Sequence, residues 1–481
     1  MSAATTVLIQ DVRVLDGTGT HARAADVEIR DGRVAAIGHL PPPAHCRVIK
    51  GRGRYLSPGF IDVHTHDDTS VVHGPEMRPK LSQGVTTVVV GNCGISASPI
   101  SLRTDEVPDP MNLLGPRGVF TYPEFTDYAS AVDRARPSVN VAALVGHTTL
   151  RAGAMADLER PASGREIEAM RTRLAASLHA GAFGLSSGLA YRNARQAPPS
   201  EMDALVRELG LHGAVYTTHL RNEFDRLPQA LDEAFATAAK VGVRLQVSHL
   251  KCAGAGNWGH APQALAMVEH AAKDLGCHCD CYPYTASSST LDLGQVNAET
   301  DILITWSEPH PEMARRRLNA IAAEWQLPLA AAAKKLQPAG AVYHNMSEAD
   351  VRRILAHPLV MIGSDGLPND PFPHPRLWGA FPRVIGHYCR DERLFPLPEA
   401  IRKMTGLPAA AFGLADRGVV RPGAWADLVL FDFDRVRDTA TFAAPKQAAE
   451  GIDLVMVNGR IAWQDGGCVD RPGRFLRRGA A

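Results

Sequence analysis

Short apolar segments alternate with helix-like segments through the middle of the chain. The apolar segments are rich in valine and leucine, which is the pattern of strands buried on both faces of a parallel sheet. Eight such strands with helices between them predict a TIM (β/α)8 barrel rather than an open doubly wound sheet, and no glycine-rich phosphate-binding motif follows any of them. The predicted barrel strands are residues 59–63, 86–90, 141–145, 182–186, 214–218, 244–248, 278–282 and 359–363.

The two ends of the chain carry a different pattern, in which apolar and polar residues alternate around turn dipeptides. The alternating segments are residues 7–15, 26–30 and 33–38 at the start and residues 426–433 and 452–463 at the end. Asp31-Gly32 and Asn458-Gly459 lie between alternating segments, and such dipeptides favour tight hairpin turns. We therefore expect the two ends to pair into one small β-sandwich domain.

These patterns divide the chain into two predicted domains and one insertion. Residues 1–56 and 415–481 form the β-sandwich, and residues 57–414 form the catalytic barrel. An insertion at about residues 286–347 separates the last two barrel strands, a gap far longer than an ordinary connection in an α/β fold. Residues 311–335 within it have a helical pattern. Long elaborations on the active face of a barrel commonly act as lids or substrate walls.

Composition narrows the range of partners. Lys plus Arg and Asp plus Glu both number 51 in the 481 residues, so the formal net charge is zero, which gives no support to nucleic-acid or membrane-surface binding. We expect a small-molecule substrate, and the oligomeric state stays open. The first residues lack the pattern of a secretion signal and no run reaches membrane-spanning length, so we expect a cytoplasmic protein. The eight scattered cysteines do not resemble a disulfide framework.

Potential metal ligands follow the predicted barrel strands. His64 and His66 lie one residue apart after the first strand, where the strand period of two points both imidazoles to the same side. A lone histidine at a strand end is more often a polar residue with a structural role, but several strand ends carry such residues here. The full set of candidate ligands is His64, His66, Cys93, His219, His249 and Asp365. Chemistry in a TIM barrel takes place where the strands end, so this set predicts a metal centre.

The ligand types indicate the ion and the reaction. Cys93, His219 and His249 are soft and borderline donors that suit zinc, whereas the remaining three form a second, more open site. Zinc with an open coordination position lowers the pKa of a bound water to about 7 and polarises a carbonyl group. The sequence therefore predicts a hydrolase.

The same residues lie in motifs that resemble the D-aminoacylases, the N-acyl-D-amino-acid deacylases of the metal-dependent amidohydrolase superfamily. The motifs are PGFIDVHTHDD from Pro58, VGNCG from Val90, THLRNE from Thr218, SHLK from Ser248 and YPYTA from Tyr282. The resemblance spans nearly the whole chain. Most binuclear members of the superfamily bridge their metals with a carboxylated lysine at the fourth strand, which is missing here. Cys93 replaces it, as in D-aminoacylases.

The resemblance implies zinc-dependent hydrolysis of N-acyl-D-amino acids. It implies that Cys93, His219 and His249 hold a tight zinc ion, and that His64, His66 and Asp365 form a second site that is weak or empty. By the same resemblance, Asp365 is the general base that deprotonates the attacking water and carries the proton to the leaving amine.

The candidate substrate-binding residues are Lys251, Tyr282, Arg376 and Gln295. The first three offer cationic or phenolic donors for the α-carboxylate of the substrate. The resemblance implies that a glutamate-specific enzyme carries an arginine shortly after the Tyr-Pro-Tyr motif, whereas residues 283–308 contain no Lys or Arg and include Gln295. We therefore expect a neutral or apolar substrate side chain.

Four alternatives stay open. One is a deacylase for N-acyl-D-glutamate, since a cation could reach the pocket from another loop. A cyclic amidase and a deaminase are two others, and Glu223, four residues after His219, is a weak hint of a deaminase. The fourth is a non-catalytic scaffold, which is disfavoured because no ligand is missing.

Two further groups of residues have competing interpretations. Cys277, Cys279 and Cys281 resemble a metal knot, but on a strand they share one face, and we interpret them as buried thiols. His147 follows the third predicted strand, where contact with substrate and simple packing are equally consistent with the sequence.

Overall fold

The computed structural model describes residues 6–479, and within them the chain forms twenty strands. They are β1 (Val7–Val14), β2 (Arg23–Arg30), β3 (Arg33–Gly38), β4 (Arg47–Lys50), β5 (Tyr55–Pro58), β6 (Phe60–Asp62), β7 (Val85–Val90), β8 (Asn140–Gly146), β9 (Gly184–Gly188), β10 (Val215–His219), β11 (Arg244–Val247), β12 (His278–Cys281), β13 (Ser287–Thr290), β14 (Asp301–Ser307), β15 (Ala339–His344), β16 (Val360–Ile362), β17 (Leu428–Phe431), β18 (Ile452–Val457), β19 (Arg460–Gln464) and β20 (Gly467–Cys468).

The same residues form fifteen α-helices. They are α1 (Ser70–His73), α2 (Arg78–Leu81), α3 (Phe125–Ala135), α4 (His147–Ala154), α5 (Gly164–His179), α6 (Arg192–Arg195), α7 (Pro199–His212), α8 (Leu227–Ala239), α9 (Ala261–Leu275), α10 (Leu318–Trp325), α11 (Leu329–Leu336), α12 (Glu348–Ala356), α13 (Arg376–Arg383), α14 (Leu397–Met404) and α15 (Gly406–Phe412). A π-helical segment, Val384–Asp391, continues α13.

Eight parallel strands form the barrel in the order β16-β12-β11-β10-β9-β8-β7-β6. A parallel bridge between Thr65 and Gly366 joins the two ends of this sheet and closes it. Every residue of β7 and β8 is buried, as expected for strands covered on both faces. The predicted TIM barrel is confirmed.

The helices cover the outside of the barrel, and local sequence signals set their ends. Helix α5 starts at a capping box in which Ser163 and Glu166 satisfy each other's backbone N–H groups. It buries Met170, Leu174 and Leu178, which are four residues apart and so face the barrel together. The helices of residues 6–479 include none with the length and hydropathy of a membrane-spanning segment.

Strands from both ends of the chain share one nine-stranded sheet, which forms the predicted terminal β-domain. β5 pairs antiparallel with β17, so the N-terminal and C-terminal portions meet in the middle of this sheet. Leu428 and Leu430 of β17 join the core of the β-domain, whereas Val429 and Phe431 belong to the barrel core. The alternation of one strand therefore attaches the β-domain to the barrel.

Between the last two barrel strands, the chain forms a small subdomain with its own core. Strands β13, β15 and β14 form an antiparallel sheet, and α10 and α11 pack against it through residues such as Ile304, Ile321 and Tyr343. The predicted helix over 311–335 is correct in part, because a short 3₁₀ turn precedes two separate helices. The three strands were not predicted.

A second elaboration lies after β7, between Gly91 and α3. It contains two short 3₁₀ helices, Met111–Leu114 and Arg117–Val119, and Leu114 packs with Leu367 from the loop after β16. This loop and the insertion both rise from the end of the barrel where the candidate ligands lie.

Candidate metal centre

The candidate ligands converge at the carboxyl ends of five barrel strands. Each residue offers one donor atom, and the donors form two groups. Within each group, all donor atoms lie within 4.8 Å of one another. One group is His64, His66, Cys93 and Asp365, and the other is Cys93, His219 and His249. Because Cys93 belongs to both groups, a single thiolate is placed between two metal positions.

Cys93 lies at the centre of the cluster. Its Sγ is 3.1 Å from His64 Nε2 and 3.4 Å from His249 Nε2. Burial alone would keep the thiol protonated, but the charges of His64 and His249 outweigh it and hold the pKa of Cys93 well below its usual range. The thiolate that a metal requires is therefore favoured at this position.

Three of the candidate ligands have unusual backbone conformations. Cys93, His249 and Asp365 have φ angles of 52°, 35° and 50°, a region that residues with a Cβ rarely adopt. Such conformations cost roughly 1 to 3 kcal/mol each and cluster at functional sites, where the surrounding structure enforces them. Here the positive φ values accompany the sharp turns after β7, β11 and β16.

Carboxylates orient the imidazoles from behind. Asp280 lies 3.3 Å from His64 Nδ1 and accepts the backbone N–H of His249 at 3.0 Å. Glu223 Oε1 lies 3.0 Å from His249 Nδ1 and accepts from Lys251 Nζ at 2.6 Å. Carboxylates behind ligating histidines fix the ring orientation and are a regular feature of protein metal sites. Sequence reasoning did not assign a role to Asp280, and it named Glu223 only as a hint of a deaminase.

Asp365 is held by groups of opposite charge. Its Oδ1 lies 3.1 Å from His66 Nε2 and 3.5 Å from His64 Nε2, and its Oδ2 lies 2.9 Å from Arg376 Nη2. Burial would raise the pKa of this carboxyl, but Arg376 and His64 outweigh burial and hold the pKa well below its usual range. Asp365 is therefore a carboxylate next to the ligand cluster.

Of the four predicted substrate-binding residues, the structure places three around the cluster. Lys251 Nζ lies 2.8 Å from His249 Nδ1, and the guanidinium of Arg376 stacks over the ring of Tyr282 at 4.5 Å. Tyr282 Oη and two nitrogens of Arg376 are buried without a partner among residues 6–479. Gln295 instead lies in the insertion, where its side chain donates to Asp292 at 3.4 Å.

Sequence reasoning missed Tyr191, which follows β9. Its ring lies 4.8 Å from the ring of His219. Burial, and then the negative charges of Cys93 and Asp365, raise the pKa of Tyr191 well above its ordinary value, so the hydroxyl remains a hydrogen-bond donor. A tyrosine three residues beyond a strand carries no distinctive sequence signal.

Neither the three closely spaced cysteines nor His147 is among the donors of the candidate metal centre. Cys277, Cys279 and Cys281 are buried thiols, as predicted, and burial raises the pKa of each. His147 is fully buried, and its Nε2 lies 2.8 Å from Glu201, which also pairs with Arg151.

Comparison with known proteins assigns the family. The sequence model of the Amidohydrolase family matches residues 47–462. The chain belongs to the amidohydrolase family.

Several known proteins are similar to this amidohydrolase over nearly its full length. The N-acyl-D-aspartate deacylase of Alcaligenes xylosoxydans xylosoxydans is 46% identical over 98% of this chain and 95% of its own. A D-aminoacylase structure with a binuclear metal centre, where one metal activates and a second attenuates, is 46% identical with a TM-score of 0.95, over 98% of this chain and 99% of its own. The N-acyl-D-glutamate deacylase of Bordetella bronchiseptica, solved with zinc and a phosphonate mimic of the tetrahedral intermediate, is 45% identical with a TM-score of 0.94, over 98% and 99% of the two chains.

The fourth barrel strand of this amidohydrolase supports the Cys93 turn and carries no lysine. Ser186 in β9 accepts the backbone N–H of Gly94 at 3.0 Å, and so holds the residue after Cys93. The donor set of one thiol, four imidazoles and one carboxylate fits zinc, which prefers sulfur and nitrogen ligands.

Proposed function

We propose that this chain hydrolyses N-acyl-D-amino acids to a D-amino acid and a carboxylate, using zinc. Cys93, His219 and His249 would hold a tight zinc ion, and His64, His66 and Asp365 would form a weaker second site. The observation that carries the proposal is the convergence of these donors around Cys93, with the Asp365 carboxylate beside them. Full-length similarity to three N-acyl-D-amino-acid deacylases supports the choice of reaction.

Asp365 moves the proton in this proposal. When bound, zinc supplies a water of pKa about 7 and polarises the amide carbonyl. Asp365 takes one proton from the water whose oxygen bonds to the carbonyl carbon. The same carboxyl then gives that proton to the amide nitrogen as the C–N bond breaks, so the immediate products are a carboxylic acid and a free amine. The acid then loses its proton to the amine, which gives a carboxylate and an ammonium group. Arg376 holds Asp365 Oδ2 during both steps, which leaves Oδ1 to accept the proton.

Other buried donors orient the substrate. Arg376 has two nitrogens without a protein partner, and Tyr282 Oη is also unpaired among the described residues. Together with Lys251 they offer positive charge and hydrogen-bond donors for the α-carboxylate. Tyr191, beside His219, is placed to donate to the oxygen of the acyl carbonyl as negative charge develops on it.

We propose that the preferred substrate side chain is neutral or apolar. A second carboxylate buried without a cation costs several kcal/mol, so a glutamate-specific pocket needs an additional cation. Residues 283–308 contain no Lys or Arg. Two arginines that follow are already engaged, because Arg317 pairs with Asp301 at 2.8 Å and Arg315 stacks on Phe372 at 4.8 Å. Identities of 45 to 46% to the aspartate, glutamate and D-aminoacylase relatives do not favour one substrate.

Other reaction classes have less support. Glu223, the residue that hinted at a deaminase, is bound by Lys251 at 2.6 Å and lies behind His249, where it orients a ligand. A cyclic amidase would share the barrel, but the absence of a lysine in β9 argues against it. A non-catalytic scaffold would not need a complete donor set around Cys93.

One assay tests the reaction and its stereochemistry. Release of amino acid is measured from N-acetyl-D-methionine and N-acetyl-L-methionine in parallel, with zinc content determined on the same preparation. We expect release from the D-substrate and at least a hundredfold lower rate from the L-substrate. Equal rates would contradict the D-specificity, and no release from either would contradict the deacylase assignment.

We also propose a cytoplasmic location. All eight cysteines are free thiols, six of them buried, which suits a reducing compartment. Fractionation of the source cells would test this, and recovery in a periplasmic or secreted fraction would contradict it.

A further inference from the structure

The first and last barrel strands meet along a seam with little backbone pairing. Each other neighbouring pair of barrel strands shares a ladder of paired residues. Among residues 6–479, the backbones of β6 and β16 meet only through the loops that follow them. The contacts are the Thr65–Gly366 bridge and a 2.7 Å hydrogen bond from Asp365 N–H to His64 C=O. Yet His64, His66 and Asp365 all lie directly after the two strands that meet at this seam. Side chains must therefore contribute to holding them in register.

Lys80 of helix α2 occupies the seam. Its Nζ donates to Asp62 Oδ2 at 2.7 Å and to Ser364 Oγ at 2.8 Å, and it lies 3.2 Å from Asp67 Oδ2. Asp62 is the last residue of β6, whereas Ser364 follows β16. One ammonium group thus connects the two strands whose sheet pairing is weakest.

The contacts of Lys80 continue into the backbone around Asp365. Asp62 Oδ1 accepts the backbone N–H of Ser364 at 2.8 Å, and Ser364 Oγ accepts that of Gly366 at 3.2 Å. The residues on both sides of Asp365 are therefore held by the group of side chains that Lys80 organises. This matters because Asp365 itself has a φ of 50°, which its surroundings must enforce.

Stability alone is a poor explanation for this cluster. Lys80, Asp62 and Asp67 are at most 2% exposed, and each buried ion loses several kcal/mol of hydration. Well-packed apolar side chains of similar volume often stabilise a fold at least as well as a buried ion pair. Directional contacts, in contrast, hold a functional group within about 0.5 Å of its productive position.

We propose that Lys80 is a positioning residue, which holds Asp365 in line with His64 and His66 by joining β6 to β16 through Asp62 and Ser364. It acts through these residues and touches neither the substrate nor the reacting atoms. The inference deepens the proposed function, because it rests on Asp365 as the proton carrier and as a ligand of the second metal position.

Two variants separate positioning from folding. Ser364→Ala removes the hydroxyl that links Lys80 to β16 and keeps the Lys80–Asp62 ion pair. The double variant Lys80→Met/Asp62→Asn removes one positive and one negative charge together, so the net charge of the cluster stays the same. Ser177→Ala is the matched control, since this buried serine lies on helix α5 and its hydroxyl donates only to the helix backbone at Arg173.

We expect both test variants to lower kcat about tenfold or more with KM within about twofold, because misplacing a catalytic group lowers turnover rather than binding. Affinity of the one-zinc enzyme for a second zinc ion, measured by equilibrium dialysis, should fall about tenfold. The tight zinc should stay, and the urea midpoint of Ser364→Ala should match that of Ser177→Ala.

Other results overturn the inference. It fails if folded Ser364→Ala and the double variant keep kcat and second-zinc affinity within about twofold of the wild-type chain. It also fails if losses follow the folded fraction alone, or equal those of Ser177→Ala. If the wild-type chain releases no amino acid, the proposed function fails, and the zinc measurement still decides whether Lys80 positions the second site.

Discussion

Arg376 Nη2 lies 2.9 Å from Asp365 Oδ2, and both side chains are buried. The two oxygens of the carboxylate therefore have different partners. Oδ1 lies 3.1 Å from His66 Nε2, whereas Oδ2 faces the guanidinium. The pair keeps Asp365 ionised and fixes its orientation. Arg376 retains two nitrogens without a protein partner among the described residues, so the same side chain can also meet the substrate carboxylate.

Asp365→Asn should lower kcat by about a hundredfold or more, because an amide cannot accept the proton of the attacking water. We expect the tight zinc and the fold to be retained, since Cys93, His219 and His249 are unchanged. Steady-state kinetics, zinc analysis and urea unfolding test this. Asp370→Asn, a buried carboxylate in the same loop, is the control and should keep kcat within about threefold. Near-normal turnover of Asp365→Asn would remove Asp365 from the mechanism.

Cys93→Ala should release the tight zinc. The thiolate lies 3.4 Å from His249 Nε2 and belongs to both donor groups, so its loss leaves two imidazoles for the tight ion. Zinc per chain after dialysis should fall from about one to below about 0.2, and activity should fall with it. Cys279→Ala removes a buried thiol that is not part of either donor group and should keep its zinc. Full zinc content in Cys93→Ala would show that the ligand assignment is wrong.

The substrate side chain is tested by the ratio of kcat/KM for N-acetyl-D-methionine to that for N-acetyl-D-glutamate. We expect methionine to be preferred, because residues 283–308 contain no Lys or Arg that could pair with a second carboxylate, and Arg317 already pairs with Asp301. A clear preference for glutamate would refute this expectation.

Gln295→Arg should shift that ratio toward glutamate by adding a cation to the insertion. Asp292 lies 3.4 Å from Gln295 Nε2 and would pair with the new arginine, so the shift should be larger in Gln295→Arg/Asp292→Asn. Gln326→Arg, between α10 and α11, adds the same charge elsewhere in the insertion and should leave the ratio unchanged. An unchanged ratio in the double variant would show that residue 295 does not reach the substrate.

Glu201→Gln should lower the free energy of unfolding by about 3 kcal/mol or more at pH 7, because it leaves the buried Arg151 without its partner. Burial opposes ionisation of Glu201, but His147 and Arg151 outweigh it and lower its pKa to about 2. A lowered pKa stabilises the fold above the unfolded pKa of about 4.5, and this contribution is lost as pH falls toward 2. The difference between wild-type and variant stability should therefore stay constant from pH 7 to 5 and shrink below about 4.5.

Urea unfolding at several pH values measures this difference. Glu208→Gln, on the same helix, is the control, because its partner Arg171 is 38% exposed and such pairs contribute about 0 to 1 kcal/mol. Equal effects of the two substitutions, or a difference that grows on acidification, would contradict the prediction.

Most of the fold could be predicted from local sequence patterns. The strand positions and the pairing of the two ends followed from side-chain periodicity and turn dipeptides, which act over a few residues. The insertion was predicted less well. Its strand β14 contains the apolar run Ile302-Leu303-Ile304 and pairs with β15, which in turn pairs with β13. These pairings join segments that are distant along the chain.

The donor types of the candidate centre were also readable from the sequence alone, because the end of a barrel strand is a defined place in the fold. Predicted barrel strands are followed in the sequence by all six donors, His64, His66, Cys93, His219, His249 and Asp365. The sequence also separated Cys93, His219 and His249 from His64, His66 and Asp365. That Cys93 belongs to both groups was decided only by the closed barrel. Distances between strand ends depend on how the strands stagger around the barrel, and no periodicity along the chain encodes them.

Tertiary structure alone also decided which charges meet. Arg376 pairs with Asp365, Lys251 with Glu223, and Lys80 with Asp62. The partners are 11, 28 and 18 residues apart in the sequence, respectively, too far for a local pattern to indicate the pairing. Gln295 donates to Asp292 within the folded insertion, a contact that its position after the Tyr-Pro-Tyr motif did not indicate. The sequence thus determined the chemistry available at the strand ends. Barrel closure and side-chain packing determined which of those groups act together, because contacts between distant segments exist only once the chain has folded.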